Sequence, residues 1–525
     1  MRILRGAALA LGLIFGVGSA NAAELRIGLA AEPSSIDPHF HALTPNNALL
    51  SHLFERLVEA DEKGGMKPGL AESWKAINET TWEIKLRKGV KWHDGSDFTA
   101  DDVLFSFERP PNVPNSPSSF AYATKGKTFR KIDDHTVQVV TAAAYPLMPN
   151  DLSAVFIVSK KHVTGAKTED FNSGKVAIGT GAYKFSKHVQ GDRTEFVRND
   201  AYWGKKPAWE KVSFRVIKSG PSRIAALKAG DVDVIEDVPT NDIEGLKKDA
   251  KFEVSQSVSS RLIYFHMDHF RDESPFIKAK DGSAIKNPLK DKRVRLALSM
   301  AINRDAIIAR VMEGVAIKAS QFLPTGYFGI SPNLKPVDFD LEGAKKLLAE
   351  AGFANGFKLT IHGPNGRYTN DAKIIEVIAQ MLARLGIDAA VETMPPAVFF
   401  RRASIGAPGQ LPEFSFILVG WNPGTGENSG SLKPLVVTFN KDKGTGTANR
   451  GRYSNPEVDK LVIEALSTID DDKRAALLGK ATEIAIGDVA VIPLHYQVVT
   501  WSSKKGIAVT ARTDEETRAT GMSPR

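Results

Sequence analysis

The chain has 525 residues, 42% hydrophobic and 25% charged, close to the ordinary soluble average, so a large globular body with a sizeable core is expected. It contains no cysteine, which excludes disulfides, thiol catalysis and thiolate metal sites. The formal net charge of +8 is spread along the chain without a basic block or aromatic-interleaved stripe, so nucleic acid is not an expected partner.

The first residues, "MRILRGAALALGLIFGVGSANAAELRIG", combine Arg2 and Arg5 with an apolar run from Ala7 to Val17 and an Ala20-Asn21-Ala22 cleavage signal. They read as a secretory signal peptide over residues 1–22, removed after about Ala22. The apolar run is shorter than the roughly 20 residues a membrane span needs. Removing Arg2 and Arg5 leaves 67 basic against 61 acidic residues, a mature net charge of +6. The expected product is exported and soluble. At roughly 500 residues it exceeds what one core usually serves, so two or three lobes are expected.

Along the mature chain, strands and helices interleave. Glu24–Ala30 alternates as a strand, as do Thr80–Arg87 and His135–Ala142, each bounded by turn residues. "PSRIAALKAGDVDVIEDVP" reads as a helix stopped by Gly230, followed by a strand. "DKRVRLALSMAIN" places Val294, Ala297, Leu298, Ala301 and Ile302 on one helical face behind Asp291 as N-cap. In "NDAKIIEVIAQMLARLGIDAAVE" a helix starts at Asn370, carries Ile374, Val377, Met381 and Leu385 as its apolar stripe, and stops at Gly386 before a strand. "SNPEVDKLVIEAL" starts with Asn455 as cap and Pro456 in the first turn. The order is mixed α/β without repeats or a low-complexity linker, which suggests that the chain crosses between lobes more than once.

"VKWHDGSDFTADDV", Val90–Val103, gathers His93, Asp94, Asp97, Asp101 and Asp102. Its acids do not follow the alternate spacing of a calcium loop. Asp94-Gly95 suits a turn, and Thr99 can cap a helix from Ala100 with Asp101 and Asp102 in its first turn, so the expected role is a strand–turn–helix corner. No G-x-S-x-G elbow and no H-E-x-x-H occurs. Ser283–Lys286 and Ser502–Lys505 match S-x-x-K, but neither S-D-N nor K-T-G accompanies them. His266 and His269 extend a strand-like run, where residues three apart point to opposite faces. His39 and His41 share a face but show no third ligand. No metal, cofactor or catalytic residue is therefore assigned.

The blocks "ELRIGLAAEPSSIDPHF", "KPGLAESWK", "WEIKLRKGVKWHDGSDFTADDVLFSFER", "GTGAYKF", "RNDAYWGKKPAWEKVSFRVI", "RIAALKAGDVDV", "DKRVRLALSMAINRDAI", "AKKLLAEAGFANGFKL" and "VIPLHYQ" together cover nearly the whole mature chain. In order and spacing they resemble the solute-binding proteins of dipeptide, oligopeptide and nickel ABC importers, the extracellular solute-binding proteins of family 5. The resemblance implies an α/β flytrap of two lobes with an extra subdomain in the first. Lobe I would span 23–270 with the subdomain at about 55–178, lobe II would span 271–487, and 488–525 would return to lobe I. It also implies a non-enzymatic monomer that captures a small solute, a di- or oligopeptide or a peptide-like conjugate, and hands it to an inner-membrane ABC permease. Binding acts by favouring the closed state.

Within this resemblance, the strand end and loop "FILVGWNPGTGENSGSL" correspond to the segment in which peptide binders hold the amino group with an aspartate. Trp421 matches, but Glu427-Asn428 replaces the usual Asp-Pro, and Gly424 and Gly426 alter the loop. Glu427 is thus either an ammonium partner or a solvated loop acid. Arg367 falls near the position of a carboxylate-binding arginine, with pairing to Asp371 as the alternative. Of Arg401 and Arg402, one is expected to face the cleft, and Trp421 and Tyr496 are expected as aromatic walls. The expected ligand set is Trp421, Glu427, Asn428, Arg367, Arg401 and Tyr496. Opines, glutathione and oligosaccharides are further solutes of the family, and nickel is disfavoured by the lack of a histidine cluster. Two rival readings are a sensor or chaperone-like flytrap and an exported serine–lysine hydrolase resting on Ser283 and Lys286.

Overall fold

The computed structural model describes residues 23–117, 120–404, 411–423 and 426–525, so the signal-peptide segment and Gly424 lie outside the described residues. A twelve-stranded mixed sheet runs through the protein, and two long strands, Phe252–Met267 and Val491–Lys504, form its middle. They pair antiparallel from Phe252↔Lys504 to Val258↔Val498, lose register, and resume at Leu262↔Tyr496. Before the break, the second of them also pairs with Val234–Glu236, which continues into Glu24–Leu29 and Lys211–Val216. Beyond the break, the first pairs with Phe416–Trp421, which leads to Lys358–Pro364. Both strands therefore cross between two half-sheets, and Ser259–Arg261 is the crossing.

The cores follow the same division. Leu25, Ile27, Phe54, Phe196, Phe214 and Val234 build one cluster, to which Ala519 and Met522 of the C-terminal segment return. Two clusters on the far side gather Ile263, Phe265, Leu298, Ile361 and Leu418 in one, and Leu262, Phe322, Val419, Val462 and Tyr496 in the other. A separate four-stranded antiparallel sheet, Ala71–Asn78, Thr81–Leu86, Thr136–Thr141 and Lys127–Asp133, has its own core with Trp82, Ile84, Trp92, Phe98 and Val137. This is a two-lobed fold with an extra subdomain in the first lobe.

Local expectations hold with small shifts. The Ile84, Leu86 and Trp82 side of Thr81–Leu86 is buried while Lys85 is exposed. The helix Gly220–Ala229 ends at Gly230, φ +86. Asp291 accepts the Arg293 N–H, and Asn455 accepts those of Glu457 and Val458. The helix Asp371–Ala383 departs in two ways. Its buried face is Ile374, Ile375, Ile378, Ala379 and Leu382, with Val377 and Met381 only half-buried, because the helix packs against the flanking strands of the sheet over a wider stripe than one residue per turn. Asn370, φ +56, does not cap it; its Nδ2 donates instead to Thr240 Oγ1 at 3.2 Å and to the Val311 carbonyl at 2.9 Å.

Candidate functional site in the interlobe cleft

In lobe I, Glu24–Leu29 runs parallel to Lys211–Val216 and Val234–Glu236. In lobe II, Lys358–Pro364 runs parallel to Asp388–Met394 and Phe416–Trp421. The crevice outside the carboxyl ends of parallel strands is where such sheets bind ligands, and here the carboxyl ends of both lobes face one another. A cavity of about 490 Å³ lies there. Leu29, Lys218 and Glu236–Asn241 line it from lobe I, Gly366–Asn370 from lobe II, and Arg261 from the crossing strand. A second chamber of about 330 Å³ adjoins it and shares Leu43, Thr44, Arg261 and Arg367.

Arg261 and Arg367 sit at this junction in different states. Arg261 is buried and donates from Nε and Nη2 to the two oxygens of Glu515, at 3.0 and 2.7 Å, and Ser259 Oγ adds a 2.6 Å bond to the same carboxylate. Burial opposes both charges, yet the pairing wins: the Arg261 pKa is raised and that of Glu515 is lowered. Arg367 makes no hydrogen bond or ion pair through its guanidinium among the described residues; it lies over the Tyr368 ring, 5.1 Å from its centroid. Desolvation in the cavity wall and the neighbouring Arg261 lower its pKa. Asp371 does not neutralise it. That carboxylate is buried and accepts the backbone N–H groups of Gly366, Arg367, Tyr368 and Ala372 at 2.8 to 3.0 Å, which fixes the loop that aims Arg367. Gly420 completes the support. A Cβ there would stand 2.7 Å from the Tyr368 ring, whose hydroxyl donates to the Gly420 carbonyl at 3.2 Å.

The other expected residues are placed elsewhere. Glu427 is buried, bonded to Arg474 and Ser429, and borders a third space of about 450 Å³ with Tyr327, Phe328 and Trp82, which shares Gly64, Met66, Tyr327 and Gly426 with the smaller chamber. Its charge is matched by Arg474, whose guanidinium also lies 4.1 Å from the Phe328 ring centroid, so it is not a solvated loop acid. Asn428 is fully buried and donates to the Gly329 carbonyl at 2.8 Å and Thr482 Oγ1 at 2.7 Å. Trp421 is half-buried against the lobe II core, and its Nε1 donates to the Gly430 carbonyl at 3.0 Å. Tyr496 is core, with its hydroxyl donating to the Gln321 and Leu323 carbonyls at 3.0 and 2.8 Å. Arg401 is exposed on the helix Pro396–Ser404 and lines none of these spaces; Arg402 pairs with Glu413 and Glu392. Of the expected set, Arg367 alone lines the two chambers that meet at Arg261, and Glu427 lines the adjoining third space.

The stretch Val90–Val103 is scaffold. Asp94 accepts Ser96 N–H at 3.0 Å across a turn in which Gly95 has φ +87, and it meets His162 and Lys161 at 2.8 and 3.0 Å. Asp102 accepts the Thr99 and Lys160 N–H groups, and His93 bonds the backbone of Gly179 and Gly181. Ser283 lies exposed on a turn with its hydroxyl on Asp281, and Ser502 is buried against the Glu253 carbonyl. No three histidine, aspartate or glutamate side chains are gathered for a metal among the described residues.

Sequence reading returned the C-terminal segment to lobe I but named no cleft residue in it. Asp514, Glu516 and Arg518 line the smaller chamber, where Arg518 meets Glu516 at 2.6 Å and Glu59 at 3.3 Å, and Arg512 holds Asp514. The only signal in "ARTDEETRA" is its density of opposite charges, which on its own reads as a solvated tail. The crossing residue Arg261 was missed as well, because nothing local marks a strand position as a hinge.

The family description "Bacterial extracellular solute-binding proteins, family 5 Middle" matches residues 65–443. The dipeptide-binding protein of Escherichia coli (strain K12) is 28% identical, over 87% of this chain and 86% of that protein. Heme-binding protein A of Haemophilus influenzae is also 28% identical, over 87% of this chain and 83% of its own length. Among solved structures, the periplasmic binding protein DppA from Helicobacter pylori in complex with the peptide STSA superposes with a TM-score of 0.75 at 25% identity, covering 95% of this chain and 98% of that one. With the match spanning most of the chain and the two-lobed fold shared throughout, this chain belongs to the bacterial extracellular solute-binding proteins of family 5.

Proposed function

We propose that this protein captures a short peptide or peptide-like solute in the periplasm and presents the closed, loaded form to an ABC permease. The observation that carries the reading is Arg367: a guanidinium without a countercharge within hydrogen-bonding reach, at the junction of two cleft chambers, on a loop held by Asp371. A planar fork of this kind suits a carboxylate, and Arg261, Arg367 and Glu515 together leave one net positive charge for a monoanion. The dipeptide-binding relative and the peptide-bound neighbour support the solute class. No helix among the described residues is long and apolar enough to cross a membrane, consistent with an exported carrier once residues 1–22 are removed.

In this reading the lobes meet at the crossing, near Ser259–Arg261 and Gln497, and the monomer closes about those strands. The protein makes and breaks no bond; the exposed Ser283 has an aspartate as its partner and no lysine base. Native mass spectrometry of protein purified without denaturation, followed by identification of what is released, tests the reading. Di- to pentapeptides that are lost in Arg367→Gln support it, and a carried solute without a carboxylate overturns it.

A further inference from the structure

Opposite Arg367, the lobe I wall of the larger cavity carries carboxylates at the end of the strand Val234–Glu236. Glu236 is committed: it accepts the Ala30 N–H at 2.8 Å and the Thr517 hydroxyl. Glu515 is committed to Arg261. Asp237 is different. Its side chain is 64% accessible, and its one close contact is 3.4 Å from Oδ2 to Arg223 Nη2. Arg223 is itself buried and spent on four backbone carbonyls, those of Ile217, Lys218, Glu236 and Asp237, at 2.7 to 3.1 Å. Asp237 lines the larger cavity, and desolvation there raises its pKa against the pull of Arg223, with nearby Glu515 adding to the rise. Lys218, also on this wall, has a side chain 73% accessible and its ammonium 3.9 Å from Glu32.

We infer that Asp237 anchors a cationic group of the solute, an ammonium or guanidinium, while Arg367 takes its carboxylate, so that a zwitterion bridges the two lobes. The inference rests on the carboxylate reading of Arg367. It follows from what the chain leaves over: Glu427, in the loop expected to hold the amino group, is matched by Arg474, and Asp237 is the cleft carboxylate without a strong partner. Asp237 has a positive φ of +50°, and Asn370 and Glu515, also at positive φ, line the same space. Strain of this kind gathers at ligand clamps. Because the two anchors stand on different lobes, only the closed form satisfies both ends of the solute, which is the differential affinity that closure requires.

The test is calorimetric titration with trialanine, N-acetyl-trialanine and octopine, an amino-acid conjugate bearing a guanidinium, on wild type, Asp237→Asn, Glu427→Gln and Arg367→Gln. Asparagine tolerates left-handed backbone at least as well as aspartate, so an unchanged unfolding midpoint without ligand checks that Asp237→Asn folds normally. The expected result is that wild type prefers trialanine to its acetylated form by about tenfold or more. Asp237→Asn should lose that preference, and Arg367→Gln should weaken both peptides alike. If Asp237→Asn keeps the preference, the inference is overturned while the peptide reading stands, and loss of the preference in Glu427→Gln would then place the ammonium there. If wild type ignores trialanine but binds octopine and Asp237→Asn does not, the peptide reading falls and the inference stands. Wild type that binds neither probe, or Asp237→Asn that binds octopine unimpaired, overturns the inference.

Discussion

Behind Trp421, Glu427 and Arg474 are both buried and hold each other; across the crossing strands, Arg367 and Asp237 face a cavity and neither has a strong partner. Both regions combine an acid and an arginine. They differ in where the countercharge comes from. In the first the chain supplies it; in the second, on the proposed reading, a solute does. A buried pair that loses one member leaves an uncompensated charge, whereas a cavity-facing charge costs little to remove in the empty protein.

That contrast sets the sizes of the expected effects. Arg474→Ala should lower unfolding stability by about 3–5 kcal/mol in urea titration, while the double variant Glu427→Gln/Arg474→Met should recover most of the loss. A fully stable Arg474→Ala would break the distinction between the two regions. Glu55 supplies an intermediate case, a buried carboxylate with neutral donors only, Tyr202 Oη at 2.7 Å and Trp203 Nε1 at 2.9 Å. Desolvation outweighs those donors and pushes its pKa up from 4.5 to about 7. The folded state therefore holds a proton that the unfolded chain releases. This contribution is full below about pH 4.5 and is lost as the pH rises through 7. Wild type should lose roughly 3 kcal/mol relative to Glu55→Gln between those limits, at about 1.4 kcal/mol per unit. Parallel pH profiles for the two proteins would remove the case.

On the other side of the comparison, Arg367→Gln should leave the unfolding midpoint of empty protein unchanged and weaken a carboxylate-bearing solute about thirtyfold, on the order of 2 kcal/mol. Loss of stability without loss of affinity would move Arg367 into the scaffold. The smallest effect belongs to one direct contact between lobes, Asn370 Nδ2 to Thr240 Oγ1. Thr240→Val should weaken solute binding a few-fold by favouring the open form, on the order of 0.5–1.5 kcal/mol, with an increased radius of gyration in scattering from the empty protein.

The scaffold was largely legible. The Asp94–Gly95 turn, the helix from Ala100 with Asp102 bonded back to Thr99, and the caps at Asp291 and Asn455 all lie within a few residues of their partners, which is the range over which sequence pattern carries information. Of the expected ligand set, Arg367 alone is placed at the junction of the two chambers. Glu427 and Arg474 are separated by 47 positions, and Arg261 and Glu515 by 254. Arg474, Arg261 and Glu515 read locally as ordinary surface charges, and Glu427 reads as an ammonium partner or a loop acid without its arginine in view. Tyr496 misled for the same reason: an aromatic near a strand end looks like a platform until its hydroxyl is found on the Gln321 and Leu323 carbonyls.

The amino-acid order by itself determined the family, the alternation of strands and helices, and the capping that closes each corner, because these depend on neighbours along the chain. Only the tertiary structure decided which charges are paired within the chain and which face the cleft without a strong partner. That choice depends on which side chains the two crossing strands and the returning C-terminal segment bring within hydrogen-bonding distance in a space shielded from bulk water, where an unmatched charge is expensive and a matched one is silent.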